Sequence, residues 1–458
     1  MSENEIVAEQ HAAIGNVSNT SQPDYRRTEH PDAQWFPGSL GLFIHWGISS
    51  VNGTGDLSWS MMQTPPGDRG VRASKWGLPS VQQQFTPNEY WKQSERFNPD
   101  KFDPCKWLSA AKQAGIKYAV LTTKHHDGFT MWPSKVSNFG VQTSLPGKDF
   151  VREYIEACRE NGLKVGLYYS PPDWYFTRER MTFGKTIDHS GKVVYVGMNH
   201  EPVDVSKLPP ENDKDFEARW NALVKGHIYE LLTSYGKIDL LWFDGSSKNA
   251  VTLEELRKLQ PGIVFNQRGL GYGDYETPEC SFPAKRPGGW WEYCHIWNDG
   301  AWGYLSHETY KPAGWMIGEW AKARAWGGNF LVNVGPDSSG ELPAVAYKRF
   351  AQLAEWNNKL GFTLAPDAAP GLWPDRCNAP TTIKDSKLYV HLVFDWDELE
   401  IVVKGVEAPK TVQLLKIDSM SSLAWKMDNT ELRIPIKKSD RGVLLDIVEI
   451  DFGAICVS

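Results

Sequence analysis

A carboxylate at the end of an apolar run is the feature of this sequence best suited to chemistry. Asp244 follows the apolar stretch 238–243, and Gly245 comes directly after it. Such a stretch predicts a short buried strand. In barrels of parallel strands, catalytic groups project from the carboxyl ends of the strands. An Asp in this place also caps ordinary turns, so its assignment depends on residues elsewhere in the chain.

Polar and aromatic residues follow other apolar runs in the same way. His45 ends the first run, His125 and His126 follow the second, Tyr169 closes the third and Arg268 follows the fifth. The carboxyl ends of parallel strands meet on one rim of a barrel. These side chains are therefore expected to form one polar, aromatic cup that could bind a small molecule.

A second carboxylate beside Asp244 would complete the chemistry of glycoside hydrolysis. A retaining glycosidase needs an ionised nucleophile and a protonated acid roughly 5–5.5 Å apart. Asp244, at a rigid strand end, suits the nucleophile. Glu279 ends the acidic loop 274–279, where burial and nearby negative charge are expected to raise its pKa to suit the acid. Arg268 could keep Asp244 ionised or bind the substrate, and a solvated loop acid remains the alternative for Glu279.

The three histidines raise the alternative of a metal site, since imidazoles and a carboxylate can bind zinc. Adjacent strand residues such as His125 and His126 point to opposite faces, however, and the sequence has no HxxxH or HExxH spacing. Neutral histidines that donate to sugar hydroxyls fit better, and no metal or cofactor is expected. A GxSxG serine-hydrolase motif and a correctly placed dinucleotide-binding GxGxxG motif are also missing.

Strands that alternate with helices must position these residues. Over residues 33–365 the alternation predicts parallel pairing and a (β/α)₈ catalytic barrel. The predicted strands are Leu40–Trp46, Ile116–Thr122, Leu163–Tyr169, Ile238–Phe243, Gly262–Gln267, Trp290–Ile296 and Asn329–Val334. The predicted helices are Pro104–Ala114, Asp149–Asn161, Asp213–Ser234, Leu253–Leu259, Gly314–Ala325 and Val345–Lys359.

The pattern differs at the two ends of the chain. Residues 366–371 have the composition of a linker, and the short β-rich runs beyond them predict a C-terminal antiparallel β-sandwich over residues 366–458. Residues 1–32 form an N-terminal polar segment without the apolar core of a signal peptide. The sequence leaves the compartment open between the cytoplasm and a secreted, periplasmic or lysosomal location.

Composition excludes several classes of partner. The chain of 458 residues has a net charge of −7 and no long basic run, so binding of nucleic acid is not expected. It contains no apolar run of about 18 residues, so no membrane span is expected. The six cysteines form no CxxC pair, and free thiols are expected, with a Cys280–Cys294 bridge as the open alternative. The 21 Trp offer flat apolar faces that suit sugar rings. A homo-oligomer is neither indicated nor excluded.

Five segments, taken in order, resemble the α-L-fucosidases of glycoside hydrolase family 29. The segments are residues 41–47, 121–129, 166–170, 241–244 and 327–336. The resemblance covers residues 33–365, with a weaker likeness of the C-terminal sandwich. It implies a metal-free, retaining exo-hydrolase that releases terminal α-L-fucose from a fucosylated oligosaccharide or glycoconjugate.

The resemblance also implies roles for individual residues. Asp244 falls on the family's nucleophile position. Glu279, which follows Arg268 by 11 residues, best matches the acid/base, with Glu292 as second choice and Glu276 as third. Residues on positions that bind the fucose are His45, Trp59, His125, His126, Tyr169, Trp242, Arg268 and Trp302, the last of these against the C5 methyl group.

One position departs from the family pattern. Members commonly carry Glu-Trp where this chain has Ser58 and Trp59. A hydroxyl in place of a carboxylate loses a charge-assisted bond to a sugar hydroxyl and leaves more room. The expected consequences are weaker binding of simple fucosides or acceptance of a related sugar such as an α-L-galactoside. A non-catalytic fucose-binding protein on the same fold is the alternative of another class.

Overall fold

Eight parallel strands form a closed barrel in the computed structural model. The model describes residues 3–16, 23–63, 84–210, 212–247, 249–298, 300–307 and 309–453. The barrel strands are β1 (Leu40–Ile44), β2 (Tyr118–Lys124), β3 (Lys164–Tyr169), β4 (Leu240–Phe243), β5 (Val264–Phe265), β6 (Tyr275–Glu276), β7 (Trp290–Ile296) and β8 (Asn329–Val334). They are hydrogen-bonded in the order β6-β7-β8-β1-β2-β3-β4-β5. A parallel bridge between Asn266 and Tyr275 joins the two ends of this order.

Helices connect the strands and pack against the outside of the barrel. Several begin where an Asp or Thr side chain accepts from a free backbone N–H of the first turn. Asp103, Asp149 and Asp213 do so, and Thr252 forms a capping box with Glu255. The longer helices are α1 (Glu3–Ala13), α2 (Pro104–Gln113), α3 (Phe150–Glu160), α4 (Lys214–Thr233), α5 (Leu253–Leu259), α6 (Ala313–Ala325) and α7 (Ala344–Leu360). Shorter helices span Pro87–Trp91, Val141–Ser144 and Trp174–Thr177.

The predicted (β/α)₈ barrel is confirmed, with one strand missed and several ends shifted. Strands β7 and β8 and helix α5 have the predicted bounds. Strand β6 lies inside the acidic loop and was not predicted, because two residues are too few to show a period. Strand β2 begins two residues later than predicted and extends to Lys124, which is fully buried.

The C-terminal part folds into antiparallel sheets, as predicted. A six-stranded sheet contains, in spatial order, β9 (Ala369–Pro370), β10 (Thr381–Lys384), β11 (Lys387–His391), β17 (Ile447–Asp451), β13 (Thr411–Leu415) and β14 (Met420–Ser422). A three-stranded sheet contains β12 (Glu400–Lys404), β16 (Glu431–Pro435) and β15 (Lys426–Asp428). The stretch predicted as a linker thus contributes the edge strand β9.

Two further expectations concern thiols and membranes. No disulfide joins Cys280 and Cys294, so the alternative of a bridge between them is wrong. Cys456 lies outside the described residues. Within the part of the chain that the structure describes, no helix has both the length and the apolar character needed to cross a bilayer.

Candidate active site

A pocket opens at the carboxyl ends of the barrel strands, and Asp244 lies in its wall. Eight of the ten residues predicted for the site line this pocket: His45, Trp59, His125, Trp242, Asp244, Arg268, Glu279 and Trp302. They come from the ends of different strands and from loops far apart in sequence. Their convergence on one side of the barrel is the arrangement expected of catalytic groups on this fold.

Asp244 is held by groups from three neighbouring strand ends. The Tyr168 hydroxyl donates to its Oδ2 at 2.7 Å, and Arg268 Nη1 donates to Oδ1 at 3.0 Å. His126 Nε2 lies 3.6 Å from Oδ2. Burial opposes the charge, but the guanidinium outweighs it and holds the pKa of Asp244 well below its usual range. The carboxylate is therefore ionised at neutral pH, as a nucleophile must be.

Glu279 binds the other terminal nitrogen of the same guanidinium. Arg268 Nη2 donates to Glu279 Oε2 at 2.7 Å, and His11 Nε2 lies 2.9 Å from that oxygen. Arg268 is itself fixed by Thr277, whose hydroxyl and carbonyl accept at 2.7 and 3.1 Å. Burial acts to raise the pKa of Glu279, but Arg268 and His11 together outweigh it and lower this pKa to about 2. The expectation of a raised pKa for Glu279 is wrong for this structure. Two donors, Arg268 and His11, bind one oxygen of Glu279, and the sequence did not indicate that they would meet there.

The two other candidates for the acid/base lie outside the pocket lining. Glu292 is in β7 inside the barrel, with 0% of its surface exposed, and it accepts from Trp242 Nε1 at 2.8 Å and from the Tyr118 hydroxyl. Burial raises the pKa of Glu292 to about 7. Glu276 is half-buried, and burial likewise raises its pKa to about 7. Both have pKa values suited to an acid, but only Glu279 shares the pocket with Asp244.

The three histidines are buried and neutral at pH 7. Burial lowers the pKa of His45 and of His126 to about 4 and that of His125 well below its usual range. His45 Nδ1 lies 2.6 Å from Asn333 Oδ1, and His126 Nδ1 lies 2.6 Å from Ser170 Oγ. One ring nitrogen of each is therefore engaged by the protein, which orients the other.

Tyr168, and not Tyr169, faces the pocket. The two residues are consecutive in β3, so their side chains point to opposite faces. Tyr169 packs outside the barrel, with its hydroxyl 3.1 Å from His227 Nδ1 on α4. Tyr168 stacks on Trp242 with ring centroids 5.6 Å apart and binds Asp244. The predicted site residue is thus displaced by one position in the strand.

Ser58 lies behind the pocket wall. Its side chain is fully buried, and its hydroxyl is hydrogen-bonded to His125 Nδ1. The neighbouring Trp59 lines the pocket and packs edge-on against His126 at 5.3 Å. Ser58 therefore acts on the sugar space through the orientation of His125.

A metal could in principle bind beside Asp244. Ligand atoms of His125, His126 and Asp244 lie within 4.8 Å of one another. The Arg268 guanidinium is already 3.0 Å from this carboxylate. A fixed positive charge at that distance repels a second cation, and one His125 nitrogen is engaged by Ser58. The donor set thus fits a carboxylate paired with Arg better than a metal centre.

Helix α1 supplies pocket residues that were not predicted. Gln10, His11 and Ile14 line the pocket, and Asn16 Nδ2 donates to Asp244 Oδ1 at 3.1 Å. The predicted polar segment contains this helix, in which Val7 and His11 are buried, and Ile14 is buried in the turn directly after it. That i, i+4, i+7 spacing was the available signal, but it is short and lies among polar residues.

The pocket lies on a (β/α)₈ barrel and holds two carboxylates bound to one guanidinium, among neutral imidazoles and Trp faces. This combination is typical of a glycoside hydrolase. The family model described as Alpha-L-fucosidase matches residues 8–361. The chain therefore belongs to the α-L-fucosidase family, glycoside hydrolase family 29.

Relatives extend over nearly the whole chain. The tissue alpha-L-fucosidase of Mus musculus is 26% identical over 452 residues, which cover 92% of this chain and 91% of the relative. The structure of alpha-L-fucosidase isoenzyme 1 from Paenibacillus thiaminolyticus is 27% identical with a TM-score of 0.68, covering 92% of this chain and 98% of that one. A GH29 alpha-L-fucosidase from Bacteroides thetaiotaomicron, solved as a trapped covalent intermediate, has the same fold, with 21% identity, a TM-score of 0.70 and coverage of 95% and 99%.

Proposed function

We propose that this protein hydrolyses terminal α-L-fucosyl residues of glycans with retention of configuration, with Asp244 as nucleophile and Glu279 as acid/base. The observation that carries the proposal is the binding of both carboxylates to neighbouring nitrogens of Arg268 in one pocket. A cation between two carboxylates keeps them close without requiring either to be neutral. Retaining hydrolysis needs two carboxyl groups at short separation.

In the first step, Asp244 attacks the anomeric carbon while the bond to the leaving oxygen breaks. The new carbon–oxygen bond gives a glycosyl-enzyme, and Glu279 transfers its proton to the leaving oxygen. Glu279 must therefore be protonated when the substrate is bound. Loss of the His11 contact and closer burial against the sugar both raise its pKa from the value of about 2.

In the second step, water replaces the leaving group. Glu279 takes a proton from this water, whose oxygen attacks the anomeric carbon and releases Asp244 as a carboxylate. Esterification of Asp244 in the intermediate removes its negative charge, which favours the ionised form of Glu279. The same residue therefore serves as acid in the first step and as base in the second.

The sugar is held by neutral donors and aromatic faces. The second ring nitrogen of His45, which lines the pocket, is suited to a sugar hydroxyl, because an imidazole that is neutral can donate or accept. His126, also predicted to bind the sugar, is fully buried outside the pocket lining, with Nε2 3.6 Å from Asp244 Oδ2. Trp302 lies 5.1 Å from His45 between ring centroids and offers a flat face for the C5 methyl group. The trapped covalent intermediate of the Bacteroides relative, formed with 2-fluoro-fucosyl fluoride, supports a double-displacement course here.

Chemical rescue tests the assignment of Asp244. Asp244→Gly should lose at least about 10⁴-fold in kcat with an aryl α-L-fucoside, and azide should restore turnover with formation of β-fucosyl azide. The wild type in azide is the control and should gain nothing. Proton NMR of wild-type turnover should detect the α anomer of fucose first. Near-normal activity of Asp244→Gly, or initial release of the β anomer, would refute the proposal.

A substrate screen decides the sugar and the linkage. It should compare α1,2-, α1,3-, α1,4- and α1,6-fucosides with an aryl α-L-galactoside. Fucose binding by calorimetry without hydrolysis of any of these compounds would favour a non-catalytic sugar-binding protein. Activity that is lost in EDTA, with metal found by elemental analysis, would favour a metal hydrolase.

A further inference from the structure

The N-terminal helix α1 lies over the mouth of the pocket and reaches the two carboxylates proposed for catalysis. Val7, His11 and Ile14 are buried at 8%, 6% and 5% exposure, whereas Ala8, Glu9 and Ala12 on the other face are exposed. Val7 packs in the aromatic cluster inside the barrel. The helix is thus docked by one face onto the site and is not merely adjacent to it.

Each carboxylate receives a side chain from this segment. His11 Nε2 is 2.9 Å from Glu279 Oε2, and Asn16 Nδ2 donates to Asp244 Oδ1 at 3.1 Å. Both bonds are partly buried, so they are stronger than they would be in water. Asp244 Oδ1 and Glu279 Oε2 therefore each accept both from Arg268 and from this segment.

The backbone around Asp244 is shaped to receive the same segment. The backbone N–H of Gly245 donates to Asn16 Oδ1 at 2.6 Å, and that of Ser246 donates to the Ile14 carbonyl at 3.1 Å. A Cβ at Gly245 would lie 2.6 Å from Pro172 and 2.9 Å from that carbonyl oxygen, and its φ of +106° also favours glycine. The loop after β4 therefore fits this helix closely.

Little space remains for a sugar when the helix is docked. The pocket retains a cavity of about 30 Å³, enough for one or two waters, since a water needs about 10–15 Å³ on this measure. Small-molecule sites usually offer roughly 300–1,000 Å³. Gln10, His11 and Ile14 are the lining residues that the barrel itself does not supply.

We propose that residues 3–16 form an autoinhibitory strap that occupies the sugar space and is displaced by the substrate, with His11 and Asn16 competing for Glu279 and Asp244. The proposal rests on the function proposed above, because it assumes that a fucoside binds in this pocket. If the protein binds substrate only when the strap is released, its apparent affinity is the intrinsic affinity multiplied by the fraction of molecules in the released state. The strap therefore acts on KM and leaves the chemical step unchanged.

The test compares two variants of the full chain with an aryl α-L-fucoside. In His11→Ala/Asn16→Ala both contacts to the carboxylates are lost, and KM should fall about tenfold, the effect of about 1.4 kcal/mol of lost strap binding. The kcat should stay within about twofold. Glu9→Ala, on the exposed face of the same helix, is the matched control and should change neither parameter.

Hydrogen exchange on the wild type gives an independent readout. Saturating L-fucose should speed amide exchange in residues 7–16, because a displaced helix loses its protection. An unchanged or raised KM in the double variant, or unchanged or slower exchange with fucose bound, would overturn the strap. Failure of the wild type to hydrolyse any fucoside would instead contradict the proposed function, and the exchange measurement would still decide whether sugar displaces the helix.

Discussion

Asp244 and Glu279 bind the same guanidinium but are held by different kinds of structure. Asp244 directly follows β4, and its partners Tyr168 and His126 come from the adjacent strand and the strand beyond it. Glu279 lies in a loop after the two-residue strand β6, and one of its partners, His11, comes from a helix outside the barrel. The barrel thus supplies most partners of the proposed nucleophile, which the N-terminal segment also contacts through Asn16. The proposed acid lies in a loop and is bound by the barrel residue Arg268 and by His11 of that segment.

Among the variants that test this comparison of Asp244 with Glu279, Glu279→Ala is expected to have the largest effect. With a natural fucoside, kcat/KM should fall about 10³-fold, since general acid catalysis contributes about 10²–10⁴-fold. An activated aryl fucoside should lose far less in the glycosylation step, because its leaving group needs little protonation. Steady-state kinetics on both substrates measure this difference. Glu276→Ala is the control and should stay within about twofold, and equal losses on both substrates for Glu279→Ala would move the assignment to Glu292.

Glu292→Gln extends the comparison to a third carboxyl group. Glu292 is buried, and its hydrogen bonds in the described structure come from Trp242 and Tyr118 and not from a cation. Its folded pKa of about 7 lies above the ordinary value of 4.5, so the folded protein binds more protons than the unfolded chain between these pH values. The stability contributed by this group is therefore present below pH 4.5 and is lost as pH rises through 7. Relative to Glu292→Gln, the wild type should lose about 3 kcal/mol of unfolding free energy from pH 4 to 8.

Urea unfolding at a series of pH values measures that difference. Titration of the buried histidines is common to both proteins and cancels in the comparison. If the difference in unfolding free energy between the two proteins did not change with pH, Glu292 would be ionised in the folded state. The positive charge of Arg268 would then stabilise the Glu292 carboxylate without a hydrogen bond to it.

Tyr168→Phe tests how the barrel holds the nucleophile. Loss of one hydrogen bond to a charged group costs about 1.5–3 kcal/mol, so kcat/KM should fall about 30-fold. Tyr169→Phe removes the same atom from the next residue, which bonds His227 outside the pocket, and should stay within about twofold. A larger loss for Tyr169→Phe would contradict the orientation of β3.

Ser58→Ala has the smallest expected effect. It removes the hydrogen bond to His125 Nδ1, and at about 1 kcal/mol KM for an aryl fucoside should rise about fivefold. Ser60→Ala is the control, since its hydroxyl donates to the Leu57 carbonyl. An aryl α-L-galactoside, measured alongside, reports whether the serine alters the choice of sugar. An unchanged KM for both sugars would mean that packing alone orients His125.

The barrel and most of its site could be predicted because their signals are local. Short stretches rich in aromatic and β-branched residues, such as those of β7 and β8, have a length and composition that define strands. The residue after each run then falls on the rim, which brings Asp244, His45 and His125 together without knowledge of any contact. The predicted bounds of α5 also agree with the structure, in which a capping box at Thr252 begins the helix.

The failures concern properties that depend on contacts between distant segments. The choice between Tyr168 and Tyr169 depends on the register of β3, and a shift of one residue exchanges the two faces. The lowered pKa of Glu279 depends on Arg268 and on His11, which lies 268 positions away. The spacing of Val7, His11 and Ile14 is a weak signal, because it is short and lies among polar residues, and it does not say that this segment docks on the barrel.

The docked position of α1 has a practical consequence for preparing the protein. A purification tag or fusion partner joined ahead of Glu3 would sit one turn from Val7, which packs in the buried aromatic cluster. Its bulk and charge would act directly on the equilibrium between the seated and withdrawn helix. Two preparations with identical barrels, one tagged at the amino end and one untagged, would then differ in measured affinity although no residue of the barrel had changed.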